Sequence, residues 1–119
     1  MNDQNGTGYS LEQMRVIRFA LSALEQRVGI LSRSGIEPSL ALEATALEVR
    51  TSPVRITEWV PLEQGVNEDM PALLRHHSDL IHRVINSLKC CALIRIFEGE
   101  EPQEAIRIAI KEYMKAAND

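Results

Sequence analysis

The side chains best suited to chemistry in this 119-residue sequence are concentrated in one stretch, residues 71–97. It contains every histidine and cysteine of the chain: His76, His77, His82, Cys90 and Cys91. On a continuous helix, His76, Asp79 and His82 have the spacing i, i+3, i+6 and project from neighbouring turns of the polar side. Imidazole and carboxylate groups in this arrangement could bind a metal ion, so a metal-dependent enzyme using the 76/79/82 cluster is one hypothesis. The alternative is a solvated face on which the aspartate pairs with arginines four residues away.

Other signs of catalysis are absent from the sequence. It contains no nucleophile elbow, phosphate-binding loop, dinucleotide fingerprint or H-E-x-x-H zinc motif. Cys90 and Cys91 point about 100° apart on a helix, which makes a shared metal difficult, and Cys91 is predicted to lie in the core. We therefore expect a non-enzymatic protein without a cofactor.

The stretch 71–97 has no interior glycine or proline and carries apolar residues at helical spacing. These features predict one helix of about 40 Å, around which the other elements pack. His77 falls in the middle of its apolar face, and Arg95 lies on the same side. Leu93 and Phe97 make the end of the helix apolar nearly all round, so this end requires cover on both sides.

A second helix is predicted to begin at Ser10, because Ser10 and Gln13 fit a capping box. Apolar residues then follow at alternating spacings of three and four, which is the pattern of a helix-pairing seam. The seam consists of Met14, Ile17, Leu21, Leu24, Val28 and Leu31. A second apolar stripe on the same helix indicates that it is buried between neighbours or shared with a partner chain. Gly35, directly after Ser34, predicts the end of this helix.

The remaining elements complete an all-α prediction. Pro38 opens a helix to about Arg50, with Ala44 and Leu47 facing inward, and a last helix covers about 102–117. Residues 53–60 are ambiguous between helix and strand, and we favour a short helix because no second strand is available. The expected fold is a four-helix bundle-like domain around 71–97, with a short irregular or helical element at 53–60. Residues 1–9 are predicted to be a disordered lead and 10–119 a single domain.

One segment, residues 44–55, is similar to the helix-turn-helix pattern of bacterial repressors. The apolar positions of that pattern are filled here by Ala44, Leu47, Val49 and Val54. Glu48 stands where the family has a turn glycine. The resemblance implies a DNA-binding regulator whose contacts to DNA come from Arg50, Thr51, Ser52 and Arg55.

Charge and composition favour a different kind of partner. The net charge is −4 without a clustered basic excess, and aromatic residues make up 4% of the chain, which speaks against a nucleic-acid surface. No signal peptide or membrane-spanning run is visible, and the adjacent cysteines suggest a reducing cytoplasm. The surplus of apolar faces predicts a protein-interaction module (a small regulator, adaptor or inhibitor) acting as a homodimer or with another protein. The predicted interface is the seam together with His77, Leu93, Arg95 and Phe97.

Overall fold

The computed structural model describes residues 8–60 and 62–118, the last of these by its backbone alone, and within them it contains helices and no strand. The all-α prediction is therefore confirmed. The elements in chain order are α1 (Leu11–Arg33), α2 (Pro38–Thr51), a 3-10 helix (Pro53–Glu58), α3 (Met70–His76), α4 (Ser78–Phe97) and α5 (Pro102–Asn118). The ambiguous segment at 53–60 is thus mainly helical, of the tighter 3-10 type.

Helix α1 begins and ends at the predicted signals. The backbone N–H of Gln13 donates to Ser10 Oγ at 3.1 Å, and Ser10 N–H donates to Gln13 Oε1 at 2.9 Å, which completes the capping box. At the other end Gly35 adopts φ +104°, and Ile36 N–H donates to the Leu31 carbonyl at 3.1 Å. This is a Schellman ending, and a residue with a Cβ would be strained at the glycine.

The single helix predicted over 71–97 is divided in the structure. His77, with φ −108° and ψ 31°, leaves the helical region and separates α3 from α4. No glycine or proline causes the break, so tertiary contacts decide it: α3 packs on the 3-10 helix and α1, whereas α4 packs against α2, α5 and α1. Helix α4 alone, with 20 residues, is about 30 Å long.

The core lies where α1, α2, α4 and α5 meet. Helix α1 contacts the other three, and α4 runs against both α2 and α5. The buried face of α4 is formed by Leu80, Ile81, Val84, Ile85, Leu88 and Ala92. Side-chain packing among these helices accounts for most of the apolar pattern read from the sequence. The bundle-like arrangement of four helices stays a prediction.

The N-terminal lead predicted for residues 1–9 lies outside the described residues as far as residue 7, and Asp119 also lies outside them. Of the lead's last residues, Tyr9 packs against the core, and its hydroxyl lies 3.1 Å from the hydroxyl of Tyr113 on α5. Tyr9 thus belongs to the folded part of the chain.

Candidate functional site

The apolar seam of α1 faces the interior of the chain. Five of its six side chains are buried, namely Met14, Ile17, Leu21, Leu24 and Val28, and Leu31 is partly buried against the same core. Their partners are the chain's own α2, α4 and α5. A second chain could reach this seam only if the fold opened, so an interface has to use a different surface.

The two polar residues predicted to set the register between chains also have partners within this chain. Arg95 donates to Glu100 Oε2 at 2.8 Å and to Glu112 at 2.8 and 2.9 Å. The hydrogen bonds to Glu112 and then Glu100 raise the pKa of Arg95, so its charge is secured. His77 Nε2 lies 2.7 Å from Glu12 Oε2.

The end of α4 remains apolar and exposed, as the sequence indicated. Phe97 is 75% exposed and Ile94 is 58% exposed, while Leu93 is only partly buried. Ile94 and Phe97 are three residues apart and share one side of the helix. This end of α4 is the part of the predicted interface that a partner can reach.

Helix α2 presents an unexpected apolar face to solvent. Ala44 and Leu47, which the sequence placed inward, are both exposed, so that prediction is wrong. The inward face is formed instead by Ala41, Leu42, Thr45 and Val49. Thr45 lies at the centre of that face, and because threonine is polar, the sequence pattern assigned the buried side of α2 to a different face. Leu40 and Leu47, seven residues apart, remain on the outer side at 61% and 58% exposure.

A groove separates the exposed leucines of α2 from α4. Leu40 and Leu47 line it together with Lys89 of α4, and its volume is about 410 Å³. Farther along, Ala46 and Arg50 line a smaller pocket with His82. The C-terminal half of α2 thus lies beside His82, near the start of α4, whereas the N-terminal half lies beside Lys89, farther along α4. The two helices therefore run antiparallel, and Leu40 lies toward the Phe97 end.

We call this region the α2–α4 surface. It consists of Leu40, Glu43, Leu47 and Lys89, which line the groove, together with the partly buried Leu93 and the exposed Phe97, which follow Lys89 at spacings of four along α4. Apolar side chains dominate it, and Glu43 and Lys89, with Arg50 at the same groove, provide charges of both signs. Large exposed apolar patches mark interaction sites, whereas single exposed apolar side chains are ordinary.

The residues that the helix-turn-helix resemblance assigned to DNA are not arranged for it. The segment after α2 is a six-residue 3-10 helix of about 12 Å, too short to act as a recognition helix. Arg55 lies 3.9 Å from carboxylate oxygens of both Glu48 and Glu58. Thr51 Oγ1 donates to the Leu47 carbonyl, and Ser52 ends α2. Arg50 faces the groove beside Lys89 instead.

The histidine cluster that forms in space differs from the predicted 76/79/82 cluster. His82 lines the small pocket with Arg50 and Asn86, on the α2 side of α4. His76 and His77 instead meet Glu12 of α1, and one ligand atom from each of the three lies within 4.8 Å of the others. Glu12 is 65 positions from His77, and no local spacing in the sequence signals that approach.

Both cysteines are free thiols on the surface. The expectation that Cys91 lies in the core is wrong. The buried face of α4 is centred on Ile81, Leu88 and Ala92, and Cys91 lies about 100° around the helix from Ala92. That angle is sufficient to bring it to the edge of the buried face.

No protein-family model, curated protein or solved structure matches this chain. Among the residues that the structure describes, no helix combines the length and the apolar character needed to cross a bilayer.

Proposed function

We propose that this protein is a non-enzymatic interaction module that pairs with a second copy of itself through the α2–α4 surface. The observation that carries the proposal is the exposure of three large apolar side chains, Leu40, Leu47 and Phe97, on two adjacent antiparallel helices. Each exposes more than half of its surface. Burying such side chains contributes roughly 25 cal/mol per Å² of apolar area, which favours association.

The charges on this surface support a second copy as the occupant. Glu43 and Lys89 both line the groove, one on each helix. Dimers with two-fold symmetry bring the same patch of both chains together, so a residue on one chain meets a different residue on the other. A two-fold axis through the groove brings Glu43 of each copy toward Lys89 of its partner. A patch of mixed sign is therefore complementary to itself.

The proposal includes a regulatory, adaptor or inhibitory role in a reducing cytoplasm. Two exposed free thiols on adjacent residues are what such a compartment maintains. A module that acts through a helical surface needs no cofactor, and its activity depends on which faces are exposed. Dimerisation in that case controls access to the α2–α4 surface.

The test compares the mass of the protein in solution across a dilution series by analytical ultracentrifugation. We expect a dimer whose dissociation constant rises at least about tenfold in Leu47→Glu, because a charge in an apolar interface core is strongly unfavourable. Leu11→Glu is the matched control, since Leu11 is also an exposed leucine but lies at the start of α1. It should leave the dissociation constant unchanged.

Two results would contradict the proposal. The first is a monomer at every concentration that the method can reach. The second is a dimer that Leu11→Glu and Leu47→Glu weaken equally, which would place the interface elsewhere. A Phe97→Asp variant gives an independent check from the α4 side, and circular dichroism on all variants confirms that the helices are retained.

A further inference from the structure

We propose that Glu12, His76 and His77 form a binding site for a divalent transition metal ion of the zinc class. The three residues offer two imidazole nitrogens and a carboxylate oxygen, and these atoms lie within 4.8 Å of one another. The imidazole rings of His76 and His77 meet edge to face, with centroids 4.7 Å apart. His77 Nε2 and Glu12 Oε2 are already 2.7 Å apart.

The donor set determines the class of metal. Imidazole nitrogen with a carboxylate suits Zn²⁺, Co²⁺, Ni²⁺ and Cu²⁺, whereas Mg²⁺ and Ca²⁺ prefer oxygen ligands alone. In a tetrahedral zinc site, metal–ligand distances of about 2.0–2.2 Å place the ligand atoms about 3.3 Å apart. The distance between His77 Nε2 and Glu12 Oε2 has to increase slightly from 2.7 Å, and the distances from His76 have to shorten by at most about 1.5 Å. Rotation of the exposed side chains is sufficient for both changes.

The break between α3 and α4 is what makes the two histidines converge. Consecutive residues of an unbroken helix point about 100° apart, and the sequence accordingly placed His76 and His77 on different faces. His77 leaves the helical conformation, and this changes the direction of its side chain relative to that of His76. Leu74 before the break and Leu80 after it are buried, so the core holds both flanks in place.

The third ligand comes from the first turn of α1. Glu12 follows the Ser10 cap by two residues, and the capping box fixes the backbone that carries it. The nearest cation on the same helix, Arg15, donates to both oxygens of Asp69 at 3.1 and 3.2 Å. Its hydrogen bonds go to that different carboxylate, and its electrostatic attraction to Glu12 is weaker than its attraction to Asp69. Glu12 can therefore turn toward a bound cation.

The cluster is open enough for an ion to enter. Glu12 and His76 are exposed, and the side chain of His77 retains 14% of its accessible surface. Three protein ligands leave a fourth tetrahedral position facing solvent, where a water molecule or an external ligand completes the coordination. This site lies apart from the α2–α4 surface, so it is independent of the proposed dimer.

The experiment titrates the full-length protein with Zn²⁺ in competition with a chromophoric chelator. Cys90→Ser/Cys91→Ser is the background, because exposed thiols also bind zinc. We expect one zinc ion per chain, and His76→Ala and Glu12→Gln should each weaken binding at least about tenfold, since even changes outside the ligand shell often cost 10- to 100-fold. His82→Ala is the matched control and should have no effect. Absorption of bound Co²⁺ reports the coordination geometry.

Each alternative result overturns the proposal. Zinc bound no more tightly than by a lone surface histidine excludes a built site. Equal losses in His76→Ala and His82→Ala indicate scattered surface binding, and retention of affinity in Glu12→Gln removes the carboxylate from the site. His76 is exposed and outside the core, so its variant tests coordination and leaves the packing intact.

Discussion

Leu24 offers the sharpest test of how α1 is packed. It lies in the middle of the helix and none of its surface is exposed. The substitution Leu24→Ala removes three carbon atoms from the core. At about 0.8 kcal/mol per buried carbon the lost transfer free energy is about 2.4 kcal/mol, and the cavity left behind raises the destabilisation to about 3–5 kcal/mol. That is a large part of the roughly 5–15 kcal/mol that stabilises a domain of this kind.

The assay is urea unfolding followed by circular dichroism at two protein concentrations well apart. Because the contacts of Leu24 are with the same chain, the loss in free energy of unfolding should not depend on concentration. Leu11→Ala is the matched control: it removes the same atoms from the same helix at an exposed position, so its effect should stay within about 0.5 kcal/mol.

The reasoning fails if Leu24→Ala lowers the free energy of unfolding by less than about 1 kcal/mol, because truncating a fully packed leucine costs more than that. It also fails if the destabilisation grows as protein concentration rises, because a wild-type dimer would then gain stability that the variant lacks. That result would mean that a second chain covers the seam, as the heptad spacing alone suggested.

Four further substitutions test local features. Ser10→Ala removes the side-chain acceptor of the capping box and should lower the free energy of unfolding by about 1 kcal/mol in urea denaturation. Gly29→Ala and Gly35→Ala should have opposite signs in the same assay. Gly29→Ala should raise the free energy of unfolding by about 0.5–1 kcal/mol, because its added methyl meets only flexible side-chain atoms at 3.4 Å or more. Gly35→Ala should lower it by about 1–2 kcal/mol, because the residue has φ +104°. Burial, with the hydrogen bond to Tyr9, raises the pKa of Tyr113 above its ordinary value of about 10. The folded state thus holds the phenol proton of Tyr113 more tightly than the unfolded state does. The stability that this proton contributes is complete below about pH 10 and is lost as the pH rises further. The free energy of unfolding of Tyr113→Phe should therefore fall less above about pH 10 than that of the wild type.

Local signals in the sequence predicted the ends of the helices well. The pair Ser10 and Gln13 identified the start of α1, and Gly35 identified its end, because each signal acts through backbone hydrogen bonds within a few residues. The apolar spacing of the α1 seam predicted that it would be covered, and its side chains are buried or partly buried within the chain, although the prediction assigned them to an interface between chains. What the sequence could not give was the identity of the covering surface, since a stripe at heptad spacing packs equally well against its own chain or another.

Features that depend on distant contacts were missed for a common reason. Nothing near His77 in the sequence breaks a helix, and the interruption arises because α3 and α4 pack against different neighbours. The cluster of Glu12 with two histidines follows from that interruption, so it was equally invisible. On α2, the polar residue Thr45 is buried and the apolar residue Leu47 is exposed, so the apolar pattern predicted the wrong inward face.

The hydroxyl contact between Tyr9 and Tyr113 has a consequence for the order of folding. It joins residues 104 positions apart, and the logarithmic part of the entropy cost of closing so long a loop is about 4 kcal/mol. Nearly the whole described chain must already be arranged before this contact can form, because neither tyrosine can reach the other until α1 and α5 have docked. The pair should therefore be among the last contacts made during folding and among the first lost as the two ends fray. An optical signal from these two rings consequently reports closure of the entire domain, not the formation of any one helix.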